Sequence, residues 1–297
     1  MNLLASQRFS AAYIFLTPAL SAIFLFFFLP VIAAFLISFT DFDIYSLSDY
    51  SNARFIGFGN YVNLFGDPLF WKALTNTFLY VIIAAPLSIA VSLGAALMLN
   101  SKLIKFKSIF RLTYFLPVVT TLIAVSIIWR FIYHPKFGIL NYLLSILNVD
   151  AIDWLGDPNI ALPAIILMSV WKNFGYNMII FIAGLQNIPQ YLYEAADLEG
   201  ASGWQKFKSI TIPMLAPTTL FISIITMIGF FQLFAEPYVM TQGGPLNSTL
   251  SIVLYMYNEG FRWWNMGYSA SIAFVLFFII FIATLIQFKV QKNTEME

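Results

Sequence analysis

Long apolar stretches alternate with short polar ones along the entire chain. A helix needs about 20 mostly apolar residues to cross the hydrocarbon core of a bilayer. Segments meeting that requirement fall at 12–38, 74–99, 109–132, 160–184, 214–235 and 267–288. The pattern therefore predicts an all-α polytopic membrane protein with six transmembrane helices in a single transmembrane domain, residues 1–297. The first stretch is too long for a cleaved signal peptide, has only Arg8 ahead of it, and lacks a small-residue cleavage site. It is expected to be a retained anchor helix. The sixth, with FVLFFIIFI along its middle, is expected to face lipid. Gly94, Ala95 and Ala96 in the second would permit close helix approach.

Composition agrees with this pattern. Hydrophobic residues make up 60% of the chain and charged residues 10%, against roughly a quarter charged in soluble domains. There is no cysteine, which removes disulfides, thiolate metal sites and cysteine nucleophiles. His134 is the single histidine, so a metalloenzyme has no ligand set to build from. No P-loop sequence is present. An enzyme is thereby disfavoured, no cofactor is expected on this chain, and no nucleic-acid partner is expected.

Charge placement orients the spans. With the N-terminus inside, Arg8, Lys102, Lys105, Lys107, Arg111, Lys206, Lys208, Lys289 and Lys292 are internal. Arg54, Lys72, Arg130, Lys136 and Arg262 are external. The bias favours both termini in the cytoplasm. Pro18, Pro30, Pro86, Pro117 and Pro163 lie within or at the ends of spans, as ordinary kinks or as hinges of a moving pathway. The interiors of the six predicted spans hold no Asp or Glu, with Glu236 at an edge. Ion-coupled transporters often place a carboxylate at the midplane.

Lys172 is the basic residue left in mid-span, within WKNFGYN. Trp171 and Tyr176 can stack on a ring, while Asn173 and Asn177 can bond hydroxyls. Ser169, Asn173, Tyr176 and Asn177 fall largely on one helical face. The stripe reads either as the lining of a pathway or as a polar seam in which Lys172 bridges carbonyls of a neighbouring helix.

The stretch 186–212 is polar and helix-prone. Pro189 suits a helix start, Gly200 a C-terminal stop, and Ser202 the cap of a second turn carrying Trp204 and Phe207. Tyr191, Ala195 and Leu198 share one face. A short, lean, amphipathic helix of this kind is shaped to seat in a groove of another protein.

EAADLEGASGWQKFKSITIP, beginning at Glu194, resembles the EAA loop of ATP-binding-cassette importer permeases. Glu194, Ala195, Ala196, Gly200, Ile210 and Pro213 stand in register, with Ile212 where Leu is usual and Glu199 where Asp is common. FIGFGNYVNLFGDPLFWKALTNT, FRLTYFLPVVTTLIAVSIIWRFIYHPKFGILN and YVMTQGGPLNSTLSIVLYMYNEGF extend the likeness over nearly the whole chain. They are similar to the carbohydrate subfamily, on the side of the larger maltose permease and the compact glycerol-phosphate, lactose and raffinose permeases.

The resemblance implies a type I importer permease fold in a bacterial or archaeal inner membrane. It implies a second homologous permease completing the pore, two ATPase subunits holding ATP and Mg, and an extracytoplasmic solute-binding protein. The cargo would be a sugar, oligosaccharide or sugar-like solute such as a polyol or glycerol phosphate. Glu194, Ala195, Ala196, Leu198, Gly200 and Ala201 would couple to the ATPase. Trp171, Lys172, Asn173, Phe174, Tyr176 and Asn177, with Thr226, Phe230 and Gln232 in the fifth span, would line the substrate pathway. The alternative is a self-sufficient secondary transporter or channel.

Overall fold

The computed structural model describes residues 13, 15–101 and 104–294. Arg8 and Lys102, which contribute to the charge bias, and residue 12 at the start of the first predicted span lie outside them. The described residues form helices in the order α1 (Phe15–Ile37), α2 (Ile44–Ser48), α3 (Gly59–Gly66), α4 (Pro68–Asn100), α5 (Lys107–Val119), α6 (Leu122–Ile132) and α7 (Ile139–Ile146). Then follow α8 (Ala161–Gln186), α9 (Gln190–Leu198), α10 (Gly203–Lys206), α11 (Ala216–Phe231), α12 (Ala235–Met240), α13 (Ile252–Tyr257) and α14 (Met266–Thr294). Among these residues the β pairing is a single antiparallel bridge between Thr40 and Phe55.

Among the described residues, five helical stretches are long and apolar enough to cross a membrane: Phe15–Ile37, Pro68–Asn100, Ala161–Gln186, Ala216–Met240 and Met266–Val290. A sixth is reached by counting α5 and α6 together. Those two meet at a bend of 99°, where the sequence pattern predicts one continuous span over 109–132. Thr120 and Thr121 are extended there, a conformation that suits β-branched side chains. Pro117 lies in the last turn of α5. Pro86, by contrast, sits inside an unbroken α4.

The chain divides into two compact units. The first comprises Met1–Asp67 and Met256–Leu276. Here α1 leaves large apolar side chains uncovered, with Phe26 83% exposed. The loop after α1 is tied by side chains. Asp43 and Ser46 form a capping box that starts α2, and Asn60 donates to the carbonyls of Ser38 and Thr40, both at 2.8 Å. Asp41 accepts from the Arg54 backbone N–H at 2.7 Å and pairs with its guanidinium at 2.9 Å. These contacts, the backbone N–H foremost, hold the Asp41 carboxyl below the usual range. Gly267 in the first turn of α14 donates to the carbonyl of Phe42 at 2.9 Å. A Cβ there would collide with the carbonyl oxygen of Thr40.

The second unit comprises Pro68–Tyr255 and Phe277–Glu297. Its core joins Ala96 and Leu99 of α4, Met178, Phe181, Ile182 and Leu185 of α8, and Leu215 and Ile222 around α11. The close approaches occur at other glycines than the sequence singles out. A Cβ on Gly94 would meet nothing within 4 Å. On Gly175 it would strike the carbonyl oxygen of Tyr114, and on Gly184 it would lie 2.8 Å from Thr218 Oγ1. Polar side chains join the helices at depth: Ser92 donates to the Phe174 carbonyl at 2.9 Å, and Asn76 to the carbonyls of Asn247 and Leu250 at 2.7 and 3.0 Å.

Between α6 and α8 the chain is organised by one amide. Asn141 donates to the carbonyls of Pro135 and Ile152, at 3.0 and 2.8 Å. Its oxygen accepts from the Ile152 N–H and the Trp154 indole, at 3.2 and 2.9 Å. Tyr133, whose hydroxyl donates to the Ala164 carbonyl at 2.7 Å, is buried, and burial raises its pKa well above the ordinary value. His134 accepts from the backbone N–H groups of Lys136 and Phe137 at 3.2 Å, a turn-forming role.

Candidate functional site

Within the second unit, α8, α11 and α12 enclose a cavity of about 420 Å³, in the range of small-molecule sites. Helix α8 brings Lys172, Asn173, Tyr176 and Asn177 to it, and α11 brings Thr226, Gly229 and Phe230. Gln232 to Glu236 supply a further wall, with Tyr80 of α4 and Leu122 of α6 closing the rim.

Two broken helices make this wall. Residues 232–234 interrupt the helical run between α11 and α12. Pro237 has no N–H to offer the Leu233 carbonyl four residues earlier, and the Ser251 hydroxyl donates to that carbonyl instead, at 2.5 Å. At the other break, the last turn of α5 leaves carbonyls without helical partners. The Thr120 hydroxyl donates to Pro117 at 2.6 Å, and the Lys172 ammonium to Val118 at 3.1 Å. Lys172 is thus both a lining residue and a bridge to a neighbour's backbone, so the two readings of the polar stripe meet in one side chain.

The remaining polar groups are partly spoken for. Asn173 Nδ2 donates to the Ser169 carbonyl at 2.8 Å, and Asn177 Nδ2 to Thr226 Oγ1 at 2.9 Å. Ser169 Oγ lies 3.5 Å from Glu236 Oε1. Glu236 is buried and lines the same cavity as Lys172.

A second feature is the exposed helix α9. It ends in a Schellman arrangement: Ala201 N–H bonds the Ala196 carbonyl at 2.9 Å and Gly200 N–H the Asp197 carbonyl at 3.1 Å. Gly200 has φ +74°, a left-handed conformation that favours glycine. Ser202 and Gln205 cap α10 reciprocally, and Lys206 pairs with Asp197 at 2.6 Å. Tyr193 OH meets Thr211 Oγ1 at 2.9 Å, holding α9 to the following segment. That segment stays helical through a π-turn at Phe207–Thr211 and past Pro213. The outer face is bare: Leu198 is 92% exposed and Tyr191 66%.

Residues 89–295 match the family described as binding-protein-dependent transport system inner membrane component. The chain belongs to that family. This permease is 37% identical to the lactose transport system permease protein LacF of Rhizobium radiobacter, over 93% of this chain and 92% of the relative. It is 36% identical to the arabinooligosaccharides transport system permease protein AraP of Bacillus subtilis, over 96% of this chain and 89% of the relative. A chain from the crystal structure of a bacterial alginate ABC transporter in complex with an alginate pentasaccharide-bound periplasmic protein has the same fold. The TM-score is 0.80 at 21% identity, covering 95% of this chain and 93% of that one.

The permease's cavity gathers Lys172, Asn173, Tyr176, Asn177, Thr226, Phe230 and Gln232. It does not gather Trp171 or Phe174. Trp171 packs on Trp129 with ring centroids 5.5 Å apart, and Phe174 on Tyr114 at 5.6 Å, beside a separate apolar groove. Glu194, Ala195, Leu198 and Gly200 lie exposed on or just after α9, with Ala196 and Ala201 half-buried. Sequence reasoning passed over Tyr80 and Glu236. Glu236 lies near the end of the membrane-compatible stretch Ala216–Met240, beyond the break at 232–234, and is 7% exposed, so the stretch runs past the predicted boundary at 235. The signal available for it was Pro237, which allows a break just where the apolar count ends.

Proposed function

We propose that this permease is a pore subunit of an ATP-driven, binding-protein-dependent importer in a bacterial or archaeal inner membrane, with both termini cytoplasmic. A second homologous permease completes the pore. Two ATPase subunits, which hold the ATP and Mg, engage α9 through Tyr191, Ala195, Leu198 and the Gly200 turn. A solute-binding protein outside delivers the cargo. The chain itself is not an enzyme and carries no cofactor. The cargo is a sugar or oligosaccharide, in keeping with the lactose and arabinooligosaccharide relatives, and its passage is the cavity between Lys172 and Glu236.

The observation that carries this reading is the bare face of α9. A helix closed at its C-terminal end by its own hydrogen bonds, with Leu198 almost wholly exposed, is a preformed insert for another protein's groove. The buried carboxylate of Glu236 favours comparison with ion-coupled carriers. It shares its cavity with the ammonium of Lys172, a positive charge that disfavours a coupling cation there. The deciding experiment is sugar uptake in vesicles. Uptake that needs ATP, the ATPases and the binding protein supports the importer; uptake by this chain alone on an ion gradient replaces it with a secondary carrier.

A further inference from the structure

We infer that α7 is an interfacial helix whose apolar stripe lies in the headgroup–acyl boundary of one lipid leaflet and ties the link between the third and fourth spans there. That this leaflet is the outer one rests on the proposed orientation; the contact with lipid does not.

Helix α7 has two unlike sides. At about 100° per residue, Ile139, Tyr142, Leu143, Ile146 and Leu147, the C-terminal cap, fall within one arc. All five are more than half exposed. Asn141 stands on the opposite side, buried, and its four hydrogen bonds fasten that side to Pro135, Ile152 and Trp154. The stripe is therefore turned away from the protein. Charge begins only beyond the two ends of the helix, with Lys136 before it and Asp150 and Asp153 after it. Asn148 stops the helix at φ +56°, a left-handed conformation that Asn tolerates.

The surroundings identify what covers the stripe. The helix sits after α6 leaves the third span at Ile132 and before α8 opens the fourth at Ala161, which is the level of a membrane surface. Trp129, Tyr133 and Trp154 stack in a row below it, with centroids 5.2 and 5.6 Å apart. Such amphipathic rings are favoured at the interface. Helix α6 exposes an apolar face of its own, Ile123, Ile127 and Phe131. A solute-binding protein fits the stripe poorly. Contacts made and released in each cycle are no more apolar than ordinary surface, whereas these five side chains carry one hydroxyl between them. An apolar stripe backed by a polar side is the pattern of a helix lying in the interface plane, sunk about 5–10 Å into it. Both helices that the link joins line the cavity, α6 with Leu122 and α8 with Lys172, so the leaflet sets the height of their outer ends.

The chain contains no cysteine, so a label introduced into it is unique. Spin labels are attached singly to Leu143→Cys, Leu147→Cys, Ser145→Cys and Asp150→Cys in the complete complex in lipid nanodiscs, its partner subunits made cysteine-free. Collision rates are read by EPR with oxygen, which concentrates in lipid, and with a water-soluble nickel chelate. The oxygen-to-nickel ratio at Leu143 and Leu147 is expected to be at least fivefold that at Asp150. Ser145, on the other side of the helix, should stay close to Asp150. A smaller excess at Leu143 and Leu147 would leave the stripe in water, and low collision with both reagents would mean that another protein covers it. A ratio at Ser145 as high as at Leu143 would sink the whole segment in lipid. Each of these overturns the assignment. Should the two leucine variants fail to assemble, Tyr142→Cys reads the same stripe. Side is measured apart from depth: reaction of Asp150→Cys with an impermeant maleimide in spheroplasts supports the outer leaflet. Reaction only after lysis would overturn the orientation and leave the lipid contact standing.

Discussion

The ammonium of Lys172 and the carbonyl oxygen of Val118, 54 residues apart in the chain, meet at 3.1 Å. One lysine thereby does two things that a bilayer makes costly to leave undone. It gives a hydrogen bond to backbone freed by a 99° bend, and it brings a positive charge to the cavity that holds the buried Glu236. Both tasks are met inside the protein, which explains how a charge costing roughly 2.5–3.5 kcal/mol at a span's centre is retained.

Removing the ammonium should therefore destabilise the chain in a way that removing both charges does not. Lys172→Met is expected to cost about 3 kcal/mol and to lower the melting temperature of the purified complex. Lys172→Met combined with Glu236→Gln should recover part of that loss, because no unpaired charge remains. Equal melting for the single and double variants would show that the two side chains are independent.

Gly175 and Gly94 make a controlled pair. Gly175→Ala drives a methyl into the carbonyl oxygen of Tyr114, which belongs to backbone and cannot swing aside. A loss of about 1–3 kcal/mol is expected, with a reduced monodisperse fraction on size-exclusion chromatography. Gly94→Ala, whose added methyl meets nothing, should elute as the unaltered protein does. Matching profiles for both would contradict the packing of α5 on α8.

At Gly200 the fold and the assembly can be separated. A Cβ there has open space, but φ is +74°, so Gly200→Ala should cost only about 1 kcal/mol. Gly200→Trp adds bulk at the end of the exposed helix. It should leave membrane insertion intact and abolish ATP-dependent uptake by the complex. Full uptake with the tryptophan in place would mean that α9 does not seat in a partner's groove.

The loop after α1 should be acid-sensitive. Asp41's pKa is depressed by the Arg54 backbone N–H and guanidinium, so the stabilisation is complete above the unfolded value of 3.8. It disappears as pH falls through the lower folded value. Amide exchange at Ile56, whose N–H bonds the Phe39 carbonyl at 2.9 Å, is expected to stay protected from neutral pH down to about 4 and to quicken below. Asp41→Asn should remove that step; its persistence would place the sensitive group elsewhere.

Much of this molecule is written in the apolar pattern, because in lipid a helix is nearly the only way to satisfy a backbone. The start of α9 after Pro189, its stop at Gly200 and the cap at Ser202 were legible because each depends on a few adjacent residues. The break in the third predicted span was not. FLPVVTTLIAV is apolar enough to read straight through, and what supports the bend, Lys172, lies on another helix. The same distance hid the approach of Ser169 to Glu236. Counting apolar residues placed Glu236 at a boundary, whereas Pro237 and Ser251 carry the fold beyond it.

The four hydrogen bonds of Asn141 exhaust the valence of a single amide, two given and two received. Its loop consequently comes to any docking event with its shape already set, and little conformational freedom remains there to be lost on association. It also means that the position admits no close substitute. Aspartate lacks the donors and leucine lacks both halves, so the loop's rigidity hangs on one side chain that stands outside the cavity lining.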